Sequence, residues 1–239
     1  PSIADRIATF KSFFHETFFH RFYVMRFVLC SLIALGGSSF VFNLFYQQEL
    51  GLEYDQIGKM NGLVGTVSLI STFGVTVLVS ILIDRWHPFR IYIYNIFFML
   101  LATALPWKYL FGTLPAVVYI QVAVGAAIAG CVLGTLAGIA GMPMEMTTFP
   151  KSRFGQFCAA QALLRSSCTT IMGIGVGVVF DLLKIWTPNN PTFIYRFVPI
   201  WQFAWTIPAA ILAYFLYREW GKLGGYENFA PPATWEPSG

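Results

Sequence analysis

Six stretches of this chain are apolar for about 20 residues or more, the length a helix needs to cross a hydrocarbon core about 30 Å thick. They run Phe22–Tyr46, Ile57–Ile83, Ile91–Leu110, Ala116–Ala140, Phe154–Phe180 and Phe197–Tyr217. Chain breakers separate them at regular intervals. Glu49–Asp55 is acidic with a Gly, Asp84–Arg90 is charged with Pro88, and Thr113–Pro115 is a short turn. Met142–Arg153 carries two prolines and three charges, and Trp186–Thr192 holds Pro188, Asn189, Asn190 and Pro191. No stretch dissolves into strand alternation, which argues against a β-barrel. Only 11% of the 239 residues are charged, against about 25% in an ordinary soluble domain. The chain therefore reads as an all-α membrane protein of six transmembrane helices, with lipid as its solvent.

Lys and Arg set the orientation. One side of the six spans holds Arg6, Lys11, Arg21, Arg26, Arg85, Arg90, Lys151, Arg153, Arg218 and Lys222, while the other holds Lys59, Lys108, Lys184 and Arg196. The positive-inside rule then predicts both termini in the cytoplasm and a plasma-membrane location, a bacterial inner membrane fitting best. Residues 1–21 do not read as a span or as a signal peptide, being charged and Phe-rich without an apolar core. Ser2 and Asp5 form a capping-box start, and Ile3, Ile7, Phe10, Phe13, Phe14 and Phe18 recur at helical spacing. Residues 1–21 are thus expected to form an amphipathic helix along the cytoplasmic membrane face, or else a helix packed on a partner. Residues 22–220 form the membrane domain. Residues 221–239, rich in Gly and Pro, are expected to be irregular.

Arg165 is the residue most in need of explanation. It falls about ten positions into the fifth span, roughly 15 Å along the axis, where insertion of an Arg costs about 2.5–3.5 kcal/mol. Gln161 and Thr169 lie four residues to either side and share a polar stripe with it, broadened by Ser166, Ser167 and Thr170. The stripe could face a substrate cavity or a gate, with Gln121 of the fourth span as a further lining candidate. Alternatively, Arg165 could pair with helix-end carbonyls or snorkel to the inner face. Asp55, Asp84, Glu145 and Asp181 all fall near span ends, so no carboxylate is expected at the membrane centre. Asn43, Asn95 and Gln202 are softer polar candidates for interhelical hydrogen bonds. Gly130, Gly134 and Gly138 make a doubled G-x-x-x-G, a spacing that lets two helix backbones approach closely.

Enzyme signatures such as H-E-x-x-H, a phosphate loop or a G-x-S-x-G elbow do not occur. Cys30, Cys131, Cys158 and Cys168 sit in apolar stretches with no C-x-x-C pair, and His15, His20 and His87 are scattered. No metal or cofactor is expected, and the dispersed basic residues do not suggest nucleic-acid binding.

The loop Ser80-Ile81-Leu82-Ile83-Asp84-Arg85-Trp86-His87-Pro88-Phe89-Arg90 resembles the G-x-L-x-D-R-x-G-R-K/R signature of the major facilitator superfamily. Leu82, Asp84 and Arg85 match in place, whereas Ser80 and His87 replace the two glycines and Arg90 is displaced by one residue. Gly58–Gly62 and the Pro150–Gly155 entry to the fifth span are also similar to that superfamily, and all six spans agree in length and order. The resemblance implies one six-helix half of a twelve-span secondary transporter, the C-terminal half, with a small solute bound between halves. It further implies that Asp84 approaches a helix N-terminus and that Arg85 bridges helix ends at the cytoplasmic face. The partners expected are then the lipid bilayer and a second six-helix half or other membrane subunits. A non-transporting scaffold or accessory subunit of a larger membrane complex is the alternative, motivated by the missing half and the altered loop.

Overall fold

The computed structural model describes residues 2–18, 20–36, 42–48, 51–104, 115–186 and 193–232. Among the described residues the regular structure is entirely helical. The helices are α1 (Ile3–Phe18), α2 (Arg21–Gly36), α3 (Phe42–Gln48), α4 (Tyr54–Arg85), α5 (Pro88–Ala104), α6 (Ala116–Thr148), α7 (Phe154–Trp186), α8 (Val198–Lys222) and α9 (Gly225–Asn228). Short 3-10 turns at Lys151–Arg153 and Phe193–Phe197 lead into α7 and α8.

Among the described residues four stretches are long and apolar enough to cross a membrane: Tyr54–Ile81, Ile128–Thr148, Lys151–Trp186 and Ile194–Lys222. Pro88–Thr103 is apolar but shorter. The protein is a multi-pass helical membrane protein. The expected first span is divided between α2 and α3, with residues 37–41 between them outside the described set. The end of the expected third span, including Lys108 and Trp107, lies outside it as well.

Several boundaries differ from the sequence reading for identifiable reasons. Helix α6 continues to Thr148, so half of the expected loop Met142–Arg153 is helical. Pro143 lies inside it; a helix in lipid tolerates Pro because neighbouring groups can satisfy the freed carbonyl. Real breaking comes only at Phe149-Pro150, where Phe149 turns extended, as the residue before a proline tends to do. Asp84 and Arg85 likewise belong to the last turn of α4, and Arg90 to the first turn of α5.

The packing follows a row. Helix α4 lies against α6, α6 against α5, α5 against α8, α8 against α2, and α2 against α7. At the end of the bundle where the chain's termini meet, phenylalanines form the core. Phe157 of α7 is its centre, with ring centroids 4.9 Å from Phe13, 4.6 Å from Tyr23 and 5.0 Å from Phe149. Each such edge or offset contact adds about 0.5–1.5 kcal/mol beyond the area it buries, so an unusually Phe-rich sequence finds its use here.

Both the first helix and the described C-terminal segment are tied to this core. The capping box of α1 forms: the Ser2 N–H donates to Asp5 Oδ2 at 2.9 Å and the Asp5 N–H to Ser2 Oγ at 3.2 Å. Phe13 and Thr17 are fully buried, while Ile3 and Ile7 stand exposed on the opening turns. Of residues 221–239, those described are not wholly irregular. Gly224 turns the chain at φ +103° into α9, Phe229 packs 5.5 Å from Phe22, and the Tyr23 hydroxyl donates to the Pro232 carbonyl at 2.6 Å.

Candidate functional site

Among the described residues a carboxylate meets polar side chains where the end of α6 approaches the start of α7. Glu145, in the last turn of α6, reaches across to α7, where Gln161 donates from Nε2 to Oε1. The Cys158 thiol, one turn earlier on α7, lies 3.9 Å from Oε2. The spacing explains this pairing: Cys158 and Gln161 are three residues apart, on one face of α7, and that face meets the end of α6. The oxygen of the Gln161 amide is buried and has no partner among the described residues.

Arg26 of α2 is a further buried polar group. It is 1% exposed, and its guanidinium carbon sits 5.5 Å from the Phe149 ring centroid and 5.7 Å from that of Tyr92. Among the described residues its Nε and one terminal nitrogen have no hydrogen-bond partner. A guanidinium stays charged at any pH a protein meets. Two aromatic faces offset part of its desolvation through cation–π attraction, but they leave donors unused. The Cys30 thiol, one turn further along α2, stands in the field of Arg26, Arg165 and Glu145 together.

Arg165 and Thr169 lie exposed on α7, one and two turns beyond the half-buried Gln161. The Thr169 hydroxyl donates to the Arg165 carbonyl at 2.9 Å, and Thr170 to Ser166 at 3.0 Å. Both hydroxyls are thus turned onto their own helix. Gln121 is exposed on α6, and Gln202 instead lines a small, mostly apolar cavity of ≈ 130 Å³ between α2, α5 and α8.

The glycines Gly130, Gly134 and Gly138 are exposed, and a Cβ built on any of them meets nothing within 4 Å. Helix α6 instead joins α4 through Cys131, whose thiol donates to the Ser68 carbonyl at 3.0 Å and lies 2.7 Å from the Thr72 hydroxyl. Among the described residues the glycine stripe is an open face.

The loop motif resolves only in part. Arg85 is exposed at the end of α4, while the side chain of Asp84 lies outside the described set. Arg90 stands between the rings of Trp220 and Tyr226, at 5.8 and 5.1 Å, so it holds the C-terminal segment. His87 caps α5: its Nδ1 accepts the Phe89 N–H at 3.2 Å. His20 caps α2 in the same way through the Phe22 N–H at 3.3 Å. Burial pushes both imidazoles below the ordinary value of 6.5; Arg90 lowers His87 further, whereas Glu219 opposes the shift at His20.

Sequence reasoning missed Arg26 and Glu145. Arg26 looks like one more flanking cation because the first span begins only a turn before it. Glu145 looks like a loop residue because two prolines surround it. A signal was available: Glu145, Cys158 and Gln161 flank the α6–α7 turn at distances that let an antiparallel pair meet. No family model, curated protein or solved structure matches this chain.

Proposed function

We propose that the chain is one six-helix half of a secondary transporter of the major facilitator type, carrying a small solute when a second half completes the cavity. The pairing order of its helices is the observation that supports this most. Numbering α2, α4, α5, α6, α7 and α8 as spans one to six, the principal contacts are 1–5, 1–6, 2–4, 3–4 and 3–6. Exchanging 1 with 4, 2 with 5 and 3 with 6 maps this set onto itself. Three crossings are odd, so the second triplet starts from the opposite side of the bilayer. A pattern closed under that exchange is what two inverted three-helix repeats produce.

The distribution of side chains supports the same reading. The outer faces of α5 and α8 carry Phe97, Phe98, Leu101, Ile207, Ile211 and Phe215, all exposed and suited to lipid. Gly130, Gly134 and Gly138 form an exposed row on α6, and Arg165 and Thr169 an exposed row on α7. Bare lipid is a poor neighbour for a guanidinium, so this face belongs against water, solute or protein. Arg165 is the substrate-facing or gating group, and an anionic or polyhydroxylated solute suits it. The Lys and Arg bias puts the termini, and with them the phenylalanine core, at the cytoplasmic side.

Uptake into vesicles holding the complete assembly tests the proposal. Arg165→Ala should abolish or strongly reduce it, and unchanged uptake would remove Arg165 from the mechanism. Stoichiometric recovery with unrelated membrane proteins, together with no uptake of any solute, would favour the scaffold alternative.

A further inference from the structure

We propose that the outer groove between α5 and α8 holds an acyl chain of a phospholipid with an anionic headgroup, selected by the positive charge at the end of α8. No solute and no second half is involved, so the transporter reading can fail without touching it. Phe97 and Leu100 of α5 and Ile207, Ala210, Ile211 and Phe215 of α8 line an apolar groove of ≈ 310 Å³, to which Tyr214 adds a hydroxyl.

The residue order along the groove matches that of a lipid. On α8, Ile207, Ile211, Tyr214 and Arg218 recur at i, i+4, i+7 and i+11, the spacing of one helix face, and all are exposed. On α5, which runs the opposite way, Tyr94, Phe97 and Leu101 share a face in the same manner and are exposed too. Both stripes pass from apolar side chains to tyrosine as they approach the end of the bundle where the termini meet. The Tyr94 ring stands 6.4 Å from that of Tyr217, so the two helices stay together up to the tyrosine level. Tyrosine settles where acyl chains give way to headgroups. From Ile207 to Arg218 the helix rises roughly 16 Å, close to the hydrocarbon depth of one leaflet, half of about 30 Å.

Lipid surrounds this face, so an acyl chain is the natural filling, but chain contact alone distinguishes one phospholipid little from another. The headgroup does so. Arg218 lies one turn beyond Tyr214, and it shares the surroundings of Glu219 with Arg21 and Lys222. Lys222 and Arg21 approach that carboxylate at 2.8 and 3.7 Å. Three cations around one carboxylate leave a net charge of about +2, counting unit charges. Of the three, Arg218 continues the groove's own stripe on α8, and a guanidinium can take a phosphate through two parallel N–H···O bonds. A zwitterionic headgroup brings an ammonium into the same positive field, whereas an anionic one does not. One basic residue near the bilayer surface favours anionic lipid by about fivefold.

The test uses the full chain in nanodiscs of equal parts phosphatidylcholine and phosphatidylglycerol, with a trace of either lipid carrying a diazirine on its acyl chain. Irradiation and peptide mass spectrometry then read which helices that chain touches. Phosphatidylglycerol should label peptides holding residues 97–101 and 207–215 about fivefold more than phosphatidylcholine does, and raised salt should narrow the difference. Arg218→Gln should bring the two lipids to parity there without lowering the melting temperature, because the side chain is exposed. Arg218→Lys, which keeps the charge, should retain most of the preference. Ile211→Trp, which fills the groove, should reduce labelling by both lipids at these peptides and leave the exposed face of α4 labelled as before. Equal labelling of the wild type by both lipids, or a preference that survives Arg218→Gln, overturns the proposal. Labelling at these peptides that falls as the number of chains per disc rises would mean that a second copy covers the groove, which overturns it as well.

Discussion

Three glycines near the end of α8 allow the folding of the C-terminal segment to be tested by a graded series. Gly221 is exposed in α8 with open space where a Cβ would stand, so Gly221→Ala should stabilise by about 0.5–1 kcal/mol through helix propensity. Gly225 has φ +58° and also nothing within 4 Å. Gly225→Ala then costs only the left-handed conformation, about 1–2 kcal/mol. Gly224 has φ +103°, and its added Cβ would stand 2.2 Å from the Asn228 carbonyl oxygen and 2.5 Å from the Asn228 carbonyl carbon. Both atoms are backbone and cannot swing away. The Gly224→Ala cost is the same 1–2 kcal/mol of left-handed strain plus whatever opening the turn loses. Opening releases Phe229 from Phe22 and Trp220 and the Pro232 acceptor from Tyr23. Two freed ring contacts and a lost hydrogen bond together add about 1.5–4.5 kcal/mol. With the strain the total comes to about 2.5–6.5 kcal/mol. Thermal unfolding in a mild detergent, followed by Trp fluorescence, would rank the three variants. Limited proteolysis should cut beyond Lys222 first in Gly224→Ala. Equal stability of Gly224→Ala and Gly225→Ala, with no new cleavage, would refute the packed-tail reasoning.

Further outcomes follow from the buried contacts. Because His20 and His87 accept backbone N–H bonds at Nδ1 and have lowered imidazole values, their caps are present above about pH 6.5 and are lost as pH falls from there toward the folded-state values. Each lost cap is worth about 0.5–2 kcal/mol; melting should therefore fall with acidification, and His87→Asn, which caps without titrating, should flatten part of that slope. Phe157→Ala, at the centre of the aromatic core, should destabilise by about 3–5 kcal/mol as read by thermal melting, whereas the same change at lipid-facing Phe98 should cost under about 1 kcal/mol.

The membrane character was legible because length and apolarity are local properties that lipid reads directly. The α1 capping box was legible too, since Ser2 and Asp5 close it within one turn. Helix ends were harder. Pro143 lies inside α6 although a proline ordinarily signals a break, because tertiary neighbours decide whether a freed carbonyl matters. Of the site, Arg165 and Gln161 could be singled out as one polar stripe on one helix. Glu145 could be read only from its place across the α6–α7 turn from Cys158 and Gln161, and Arg26 not at all, because its setting between Tyr92 and Phe149 is encoded by no spacing along the chain. Gln202, expected only as a candidate for interhelical hydrogen bonding, lines a cavity among α2, α5 and α8, a position that its own helix does not reveal.

The bare glycine stripe on α6 has a practical consequence. Since no described residue stands within 4 Å of a Cβ at Gly130, Gly134 or Gly138, Ala at these positions displaces no described atom and favours the helix by about 0.5–1 kcal/mol each. A variant of this kind that melts no lower yet loses function would separate two failures that are usually confounded in a membrane protein, misfolding and lost association.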